Sequence, residues 1–269
     1  MRLVERLMVK PGGKVRLSRI DTSDTAGVDD KSAAQPRLEK NLKRLAELQY
    51  LMYAEDRRSL LIVLQAMDAA GKDGVIRHVM TGLNPQGCQV TPFKAPSKEE
   101  LDHDYLWRIH KEAPRRGEIG IFNRSHYEDV LVVRVHDLVP KRVWEKRFDQ
   151  INAFERMLAD EGTAILKFFL HISPEEQKRR FEARLEDETR HWKLSPADFE
   201  ERKFWGAYQR AYEDAMSRCS TPWAPWFVIP SDRKWFRNLA VSQIIVETLE
   251  SFHMKFPEPS FDVSKLKLD

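Results

Sequence analysis

The chain has 269 residues, with 45 lysines and arginines against 42 aspartates and glutamates, a net charge of +3. Its 42% apolar content supports a sizeable core and excludes a disordered chain, while the near-balanced charge removes global basicity as an argument for a nucleic-acid partner. Two cysteines, Cys88 and Cys219, exclude a disulfide scaffold and a cysteine-based zinc cluster. Arg2, Glu5, Arg6 and Lys10 stand where a signal peptide would be apolar, and nowhere do about 18 apolar residues run together, so a cytoplasmic protein without a membrane partner is expected.

Residues 1–36 read as an irregular arm, with a turn at Pro11-Gly12-Gly13 and a polar stretch from Asp21 to Gln35. The rest, 37–269, reads as one domain. It opens on Leu38, Leu42, Leu45, Leu48, Leu51 and Met52, spaced along one helix face. Ser59 to Gln65 is then a short continuous apolar run, the pattern of a parallel strand buried on both faces. Similar runs follow at Gln89–Phe93, Glu118–Phe122, Thr163–Ile172 and Trp226–Ile229, with helical patterns between them. Ser97, Ser173 and Ser195 mark helix starts, the last two followed by proline. A final helix is expected over Trp235 to Met254. Strands alternating with helices predict an α/β fold with about five parallel strands covered on both faces.

The loop after the first strand carries the chemistry. Ala66-Met67-Asp68-Ala69-Ala70-Gly71-Lys72-Asp73-Gly74 places small residues and a Gly-Lys pair between a strand and a helix. Small residues let main-chain N–H groups wrap a phosphate, and the helix start offers unpaired donors and a favourable dipole. Ala69, Ala70, Gly71, Lys72, Asp73 and Gly74 are the expected phosphate cradle. Ala66 replaces the usual first glycine of a Walker A loop, and Asp73 replaces the Ser/Thr that normally reaches magnesium. Metal binding then falls to another group, Asp68 within the loop. After the strand at Glu118–Phe122 comes Asn123-Arg124-Ser125-His126-Tyr127-Glu128-Asp129. Ligands bind beyond the carboxyl ends of such strands, so this cluster is expected beside the phosphate loop. Arg124 can hold phosphate oxygens, and an acid there can hold Mg²⁺.

The phosphate loop, the Phe122-Asn123-Arg124-Ser125-His126-Tyr127-Glu128-Asp129 segment and a later arginine-bearing helix together resemble the polyphosphate kinase type 2 family, from about Leu38 to about Met254. The resemblance implies a P-loop kinase fold similar to thymidylate kinase, with a helical lid at about 174–200. It implies phosphoryl transfer between inorganic polyphosphate and nucleotides, from AMP or ADP toward ADP or ATP, with guanine nucleotides as further candidates. It implies Mg²⁺, with Mn²⁺ as a substitute, and a homo-oligomer, a dimer or tetramer. Asp68 would act through metal and Lys72 would touch the transferring phosphate. Arg124 falls on the family's arginine. Asn123 stands where many relatives have aspartate, which moves the second metal-binding acid to Glu128 or Asp129. Asn123, Tyr127 and Glu128 are expected against the nucleotide. Arg180 and Arg184 share a helix face; Arg180 is expected on phosphate, and Arg184 is the preferred lid arginine. The pattern points to the branch that accepts both nucleoside mono- and diphosphates.

Two other readings fit the residues alone: an ATP-dependent nucleoside monophosphate kinase, and a non-catalytic polyphosphate- or nucleotide-binding module. The carboxylates near the loop argue against the second. Trp205, Tyr208 and Tyr212 read as core, and Lys234 as a phosphate contact or a plain helix start.

Overall fold

A computed structural model describes residues 3–266 of the chain; the first two residues of the expected arm and the last three of the expected domain lie outside it. Five strands form one sheet: β1 (Ser59–Ala66), β2 (Cys88–Pro92), β3 (Ile119–Asn123), β4 (Thr163–His171) and β5 (Trp226–Pro230). Their order is β2-β3-β1-β4-β5, and every pairing is parallel. The expected five-stranded parallel sheet is therefore present, with β1 at its centre.

The uninterrupted apolar runs are explained by burial on both faces. Along β1, Leu60, Ile62, Leu64 and Ala66 enter one core and Leu61 and Val63 the other. The first core is closed by α1 (Lys31–Glu55), α2 (Lys72–Val79) and the last long helix, α7 (Lys234–Glu250). The second is closed by α3 (Lys141–Asp160) and α6 (Trp205–Cys219). Between β4 and α6 lie α4 (Pro174–Leu185) and α5 (Pro196–Glu201), with turns of 3₁₀ helix at Glu188–Lys193 and Arg202–Phe204. Residues 174–204 thus form a helical layer over the stretch, about 174–200, where the lid is expected. After Ser195, Phe199 lies in α5, Phe204 in the 3₁₀ turn and Trp205, Tyr208 and Tyr212 in α6, so three elements rather than one helix carry these aromatics.

The arm is more ordered than its composition suggests. Leu7 and Leu17 are buried in the two cores, and α1 starts at Lys31, ahead of residue 37, capped by the Asp30 side chain on the Ala33 amide. The helix runs through Pro36, which carries no N–H to donate to the preceding turn. The arm crosses the sheet's carboxyl edge: the His171 ring meets the Leu17 carbonyl at 3.2 Å, and Thr22 donates to Asp232 at 2.6 Å.

Candidate active site

The parallel register sets the site. Leu64 of β1 pairs with Asn123 of β3, so the loop after β1 and the segment after β3 leave the sheet side by side at its carboxyl edge. The loop turns on Ala69, at φ 60°, and Gly71, at φ 108°, which caps α2. Arg124 also adopts a positive φ, 63°, while its amide donates to the Leu64 carbonyl at 3.0 Å. Left-handed backbone at a non-glycine residue is unfavourable, and here it falls on both sides of one cleft. Val75 N–H returns to the Gly71 carbonyl at 3.0 Å. The main-chain N–H groups of Gly71, Lys72, Asp73 and Gly74 find no protein acceptor among the described residues, as the first turn of a helix dictates.

Charged side chains surround those amides. Lys72 Nζ lies 3.3 Å from the Ala66 carbonyl, its one hydrogen bond among the described residues. Desolvation lowers its pKa, and Arg124 adds repulsion that Asp68, Glu128 and Asp73 partly offset. Arg124 Nη2 pairs with Asp68 Oδ1 at 3.0 Å. Desolvation works against the Arg124 charge, but Glu128 and Asp68 outweigh it and raise its pKa. Asp68, Glu128, Lys72 and Arg124 are therefore gathered in one electrostatic neighbourhood. Asn123 does not face open space: its Nδ2 donates to Asp73 Oδ1 at 3.0 Å, tying the two loops together. Lys193, from the layer above, approaches the other Asp73 oxygen at 3.5 Å.

Three expected site residues are placed differently. Tyr127 is corrected from nucleotide contact to core: it is fully buried, its hydroxyl donating to Glu155 at 2.9 Å and accepting from Lys167 at 2.8 Å. No ring surface remains for a ligand. Asp129 pairs with Arg147 at 3.0 Å, and the charges acting on it are Arg147, Arg108 and Glu128. Burial raises its pKa to about 6. Glu128, not Asp129, is thus the acid whose charge acts on Lys72 and Arg124. Arg180 is corrected from phosphate contact to loop brace. Its guanidinium is spent on the carbonyls of Ala69 (3.0 Å), Ala70 (2.7 Å) and Ser231 (2.5 Å) and on Glu176 (2.6 Å). Arg184 is half-buried over the Phe181 ring, 5.4 Å from its centroid, and near enough to Asp198 to steady that carboxylate. Lys178 and Arg179 pair with Glu182 and Glu176 on the outer face of α4.

Several residues at the site lack a motif. Gln177 donates to the Asp68 carbonyl at 2.9 Å and accepts from Arg202 at 2.6 Å, joining the phosphate loop to the layer above it. Desolvation raises the Asp198 pKa, and the Asp68 charge raises it further. Tyr212 is core, as expected, but also donates to the Ala66 carbonyl at 3.2 Å. Below the Arg124 segment lies a sealed ionic network: Lys167 Nζ meets Glu155 at 2.5 Å, Tyr127 at 2.8 Å and the Cys219 carbonyl at 2.7 Å, while His126 Nε2 meets Glu155 at 3.1 Å. A lone lysine inside the strand run Thr163–His171 was the sequence signal for it.

The donor set suits magnesium. Among the described residues no three His, Cys, Asp or Glu side chains converge into a cage. Mg²⁺ typically takes one or two carboxylates and completes its shell with water and substrate phosphates. Asp68 and Glu128 beside unpaired amides offer that arrangement.

A sheet whose central strand ends on unpaired amides, a lysine and an acid, with an arginine and a second acid in the segment after the neighbouring strand, defines a phosphoryl-transfer protein of the P-loop kinase class. The chain belongs to the polyphosphate kinase 2 (PPK2) family, whose pattern matches residues 28–257. It is 51% identical over 267 residues to the AMP/ADP-polyphosphate phosphotransferase of Meiothermus ruber, covering 99% of this chain and all of that one. It is 47% identical to the ADP-polyphosphate phosphotransferase of Rhodopseudomonas palustris, over 94% of this chain and 92% of that one. A crystal structure of polyphosphate kinase 2 from Arthrobacter aurescens TC1 superposes with a TM-score of 0.94 at 42% identity, covering 98% of this chain and 94% of that one. The chain is a transferase of the polyphosphate kinase type.

Proposed function

We propose that the chain transfers the terminal phosphoryl group between inorganic polyphosphate and both AMP and ADP, with Mg²⁺ as cofactor. The observation that carries the reading is the row of unpaired amides, Gly71 to Gly74, flanked by Lys72 and Arg124. The likeness to an AMP/ADP-polyphosphate phosphotransferase along the whole chain supports both acceptors.

The amides and Lys72 hold the phosphoryl group being transferred, and Arg124 neutralises its neighbour. Asp68 and Glu128 would hold Mg²⁺, which would supply positive charge to offset that of the phosphates. Arg184 and Lys193 come from the layer over the loop and close it against water. Phosphoryl transfer needs little covalent help, so positioning and charge supply the rate. The acceptor oxygen of the nucleotide attacks in line, and the shortened polyphosphate leaves. Assembly into a homo-oligomer belongs to the proposal; Tyr50, Tyr53 and Phe256, exposed beside one another around α1, offer an apolar surface for it.

The test mixes purified protein, Mg²⁺ and polyphosphate with AMP, ADP, GMP or GDP and identifies the products. A parallel mixture holds ATP and AMP without polyphosphate. Nucleotide made from polyphosphate supports the reading; product in the second mixture alone assigns an ordinary monophosphate kinase.

A further inference from the structure

A guanidinium that the reaction above does not use sits behind the phosphate loop. Arg237, in the first turn of α7, is 3% exposed. Its Nη1 donates to the Ala70 carbonyl at 3.1 Å, and its Nε and Nη2 share Asn238 Oδ1 at 3.1 and 2.9 Å. It pairs with no carboxylate among the described residues. Its surroundings disfavour a cation. It stands in the first turns of α7 and behind the N-cap of α2, both positive dipole ends. Burial, then repulsion from Arg180, brings its pKa down to about 10. A fold rarely retains a buried, unpaired charge without a use for it.

The motif glycines are shaped around this group. A Cβ on Gly71 would stand 1.9 Å from Arg237 Nη1, and one on Gly74 would stand 2.9 Å from Nη2. Gly71 needs glycine for its positive φ in any case. Gly74 has ordinary helical backbone, so what a side chain there would have to displace is the Arg237 guanidinium. Together with Arg180, Arg237 pulls the carbonyls of Ala69 and Ala70 rearward. The next amides then face forward.

We propose that Arg237 is a positioning residue and a reserve of positive charge for polyphosphate: it fixes the loop from behind, and its charge is balanced only when the polyanion occupies the amides in front. The inference rests on the polyphosphate reading and deepens it. The guanidinium fork serves both the Ala70 carbonyl and Asn238, while the charge itself is one that lysine also carries.

The test compares wild type with Arg237→Gln, Arg237→Lys and Gly74→Ala. Thermal midpoints are measured with and without tripolyphosphate, and KM and kcat for polyphosphate and ADP follow. A ligand that binds only the folded state raises the midpoint by an amount that grows with the logarithm of its concentration over its Kd. In Arg237→Gln the rise caused by tripolyphosphate should fall to roughly half or less. Its KM for polyphosphate should rise roughly tenfold, the scale of one lost charge interaction at moderate distance, with KM for ADP within about twofold. Arg237→Lys should recover most of the tripolyphosphate response. Unchanged tripolyphosphate response and KM in Arg237→Gln would overturn the proposal. So would parallel loss of kcat, both KM values and the ligand-free midpoint, which marks a merely structural group. Should Arg237→Gln fail to fold, Gly74→Ala, which displaces the guanidinium without removing it, is read by the same criteria. Should wild type make no nucleotide from polyphosphate, the proposed reaction fails, while the tripolyphosphate midpoints still decide the role of Arg237.

Discussion

Replacing Lys167 by methionine tests whether the sealed ionic network holds up the Arg124 segment. Lys167 and Glu155 are both fully buried. The three Lys167 donors are consumed by Glu155, the Tyr127 hydroxyl and the Cys219 carbonyl. Methionine fills similar space but satisfies none of them. Glu155 keeps Tyr127 and His126 as partners, yet loses its only full countercharge, and the Cys219 carbonyl loses this donor. Removing one partner of a buried pair costs about 3–5 kcal/mol, against a total stability of about 5–15 kcal/mol for a domain. A second replacement, Glu155→Gln, removes the stranded charge, so the double variant should recover part of the loss. Urea unfolding of the four proteins completes the cycle, with an expected coupling of about 1–3 kcal/mol. Losses under about 1 kcal/mol for Lys167→Met, or strictly additive losses, would refute the reasoning. The network also carries a pH signature. Desolvation lowers the His126 pKa despite Glu155, and the Lys167 countercharge, against desolvation, leaves that of Glu155 lowered. Both groups bind protons more readily when unfolded, so their stability is present at neutral pH. It is lost as pH falls, first below the ordinary histidine value of 6.5 and then below the ordinary glutamate value of 4.5.

Lys72→Ala should lower kcat by about 10²–10³, the scale of one lost charge-stabilising donor, and leave the thermal midpoint nearly unchanged, since Lys72 makes a single 3.3 Å hydrogen bond; full activity would remove it from the mechanism. Glu128→Gln should shift the Mg²⁺ titration of activity to higher concentration, whereas Asp129→Asn should leave it in place; the reverse pattern would exchange their roles. The Asp129 carboxyl is raised to about 6, so the folded state holds its proton more tightly than the unfolded chain. Relative to Asp129→Asn, wild type should therefore lose stability as pH rises from about 4 to about 6, as pH-dependent unfolding would show. Ala69→Gly should leave folding stability within about 1 kcal/mol or raise it, because a left-handed φ of 60° strains alanine; a larger loss would mean that the methyl group packs.

Burial on both faces made β1, β3 and β4 legible as apolar runs without alternation, whereas β2 is a largely exposed edge strand whose place the expected run at Gln89–Phe93 nonetheless marks. The strand-loop-helix turn was legible because small residues, Gly-Lys and a helix start coincide between Ala66 and Gly74. Side-chain direction was not. Glu128 and Asp129 are adjacent, and one residue of rotation sends Glu128 to Lys72 and Asp129 to Arg147. Tyr127 and Arg180 sit beside functional groups in sequence, yet the turn at His126–Val130 and the inner face of α4 bury them. Arg237 was hidden inside an apolar helix, where the polar Arg-Asn pair in Trp235-Phe236-Arg237-Asn238-Leu239 was the one clue.

A crystal of the chain with a bound tripolyphosphate tests the central claim most directly. Phosphate oxygens should accept hydrogen bonds from the amides between Gly71 and Gly74, with Lys72 and Arg124 on the same ligand. Tripolyphosphate lying elsewhere, with those amides turned to water, would contradict the account.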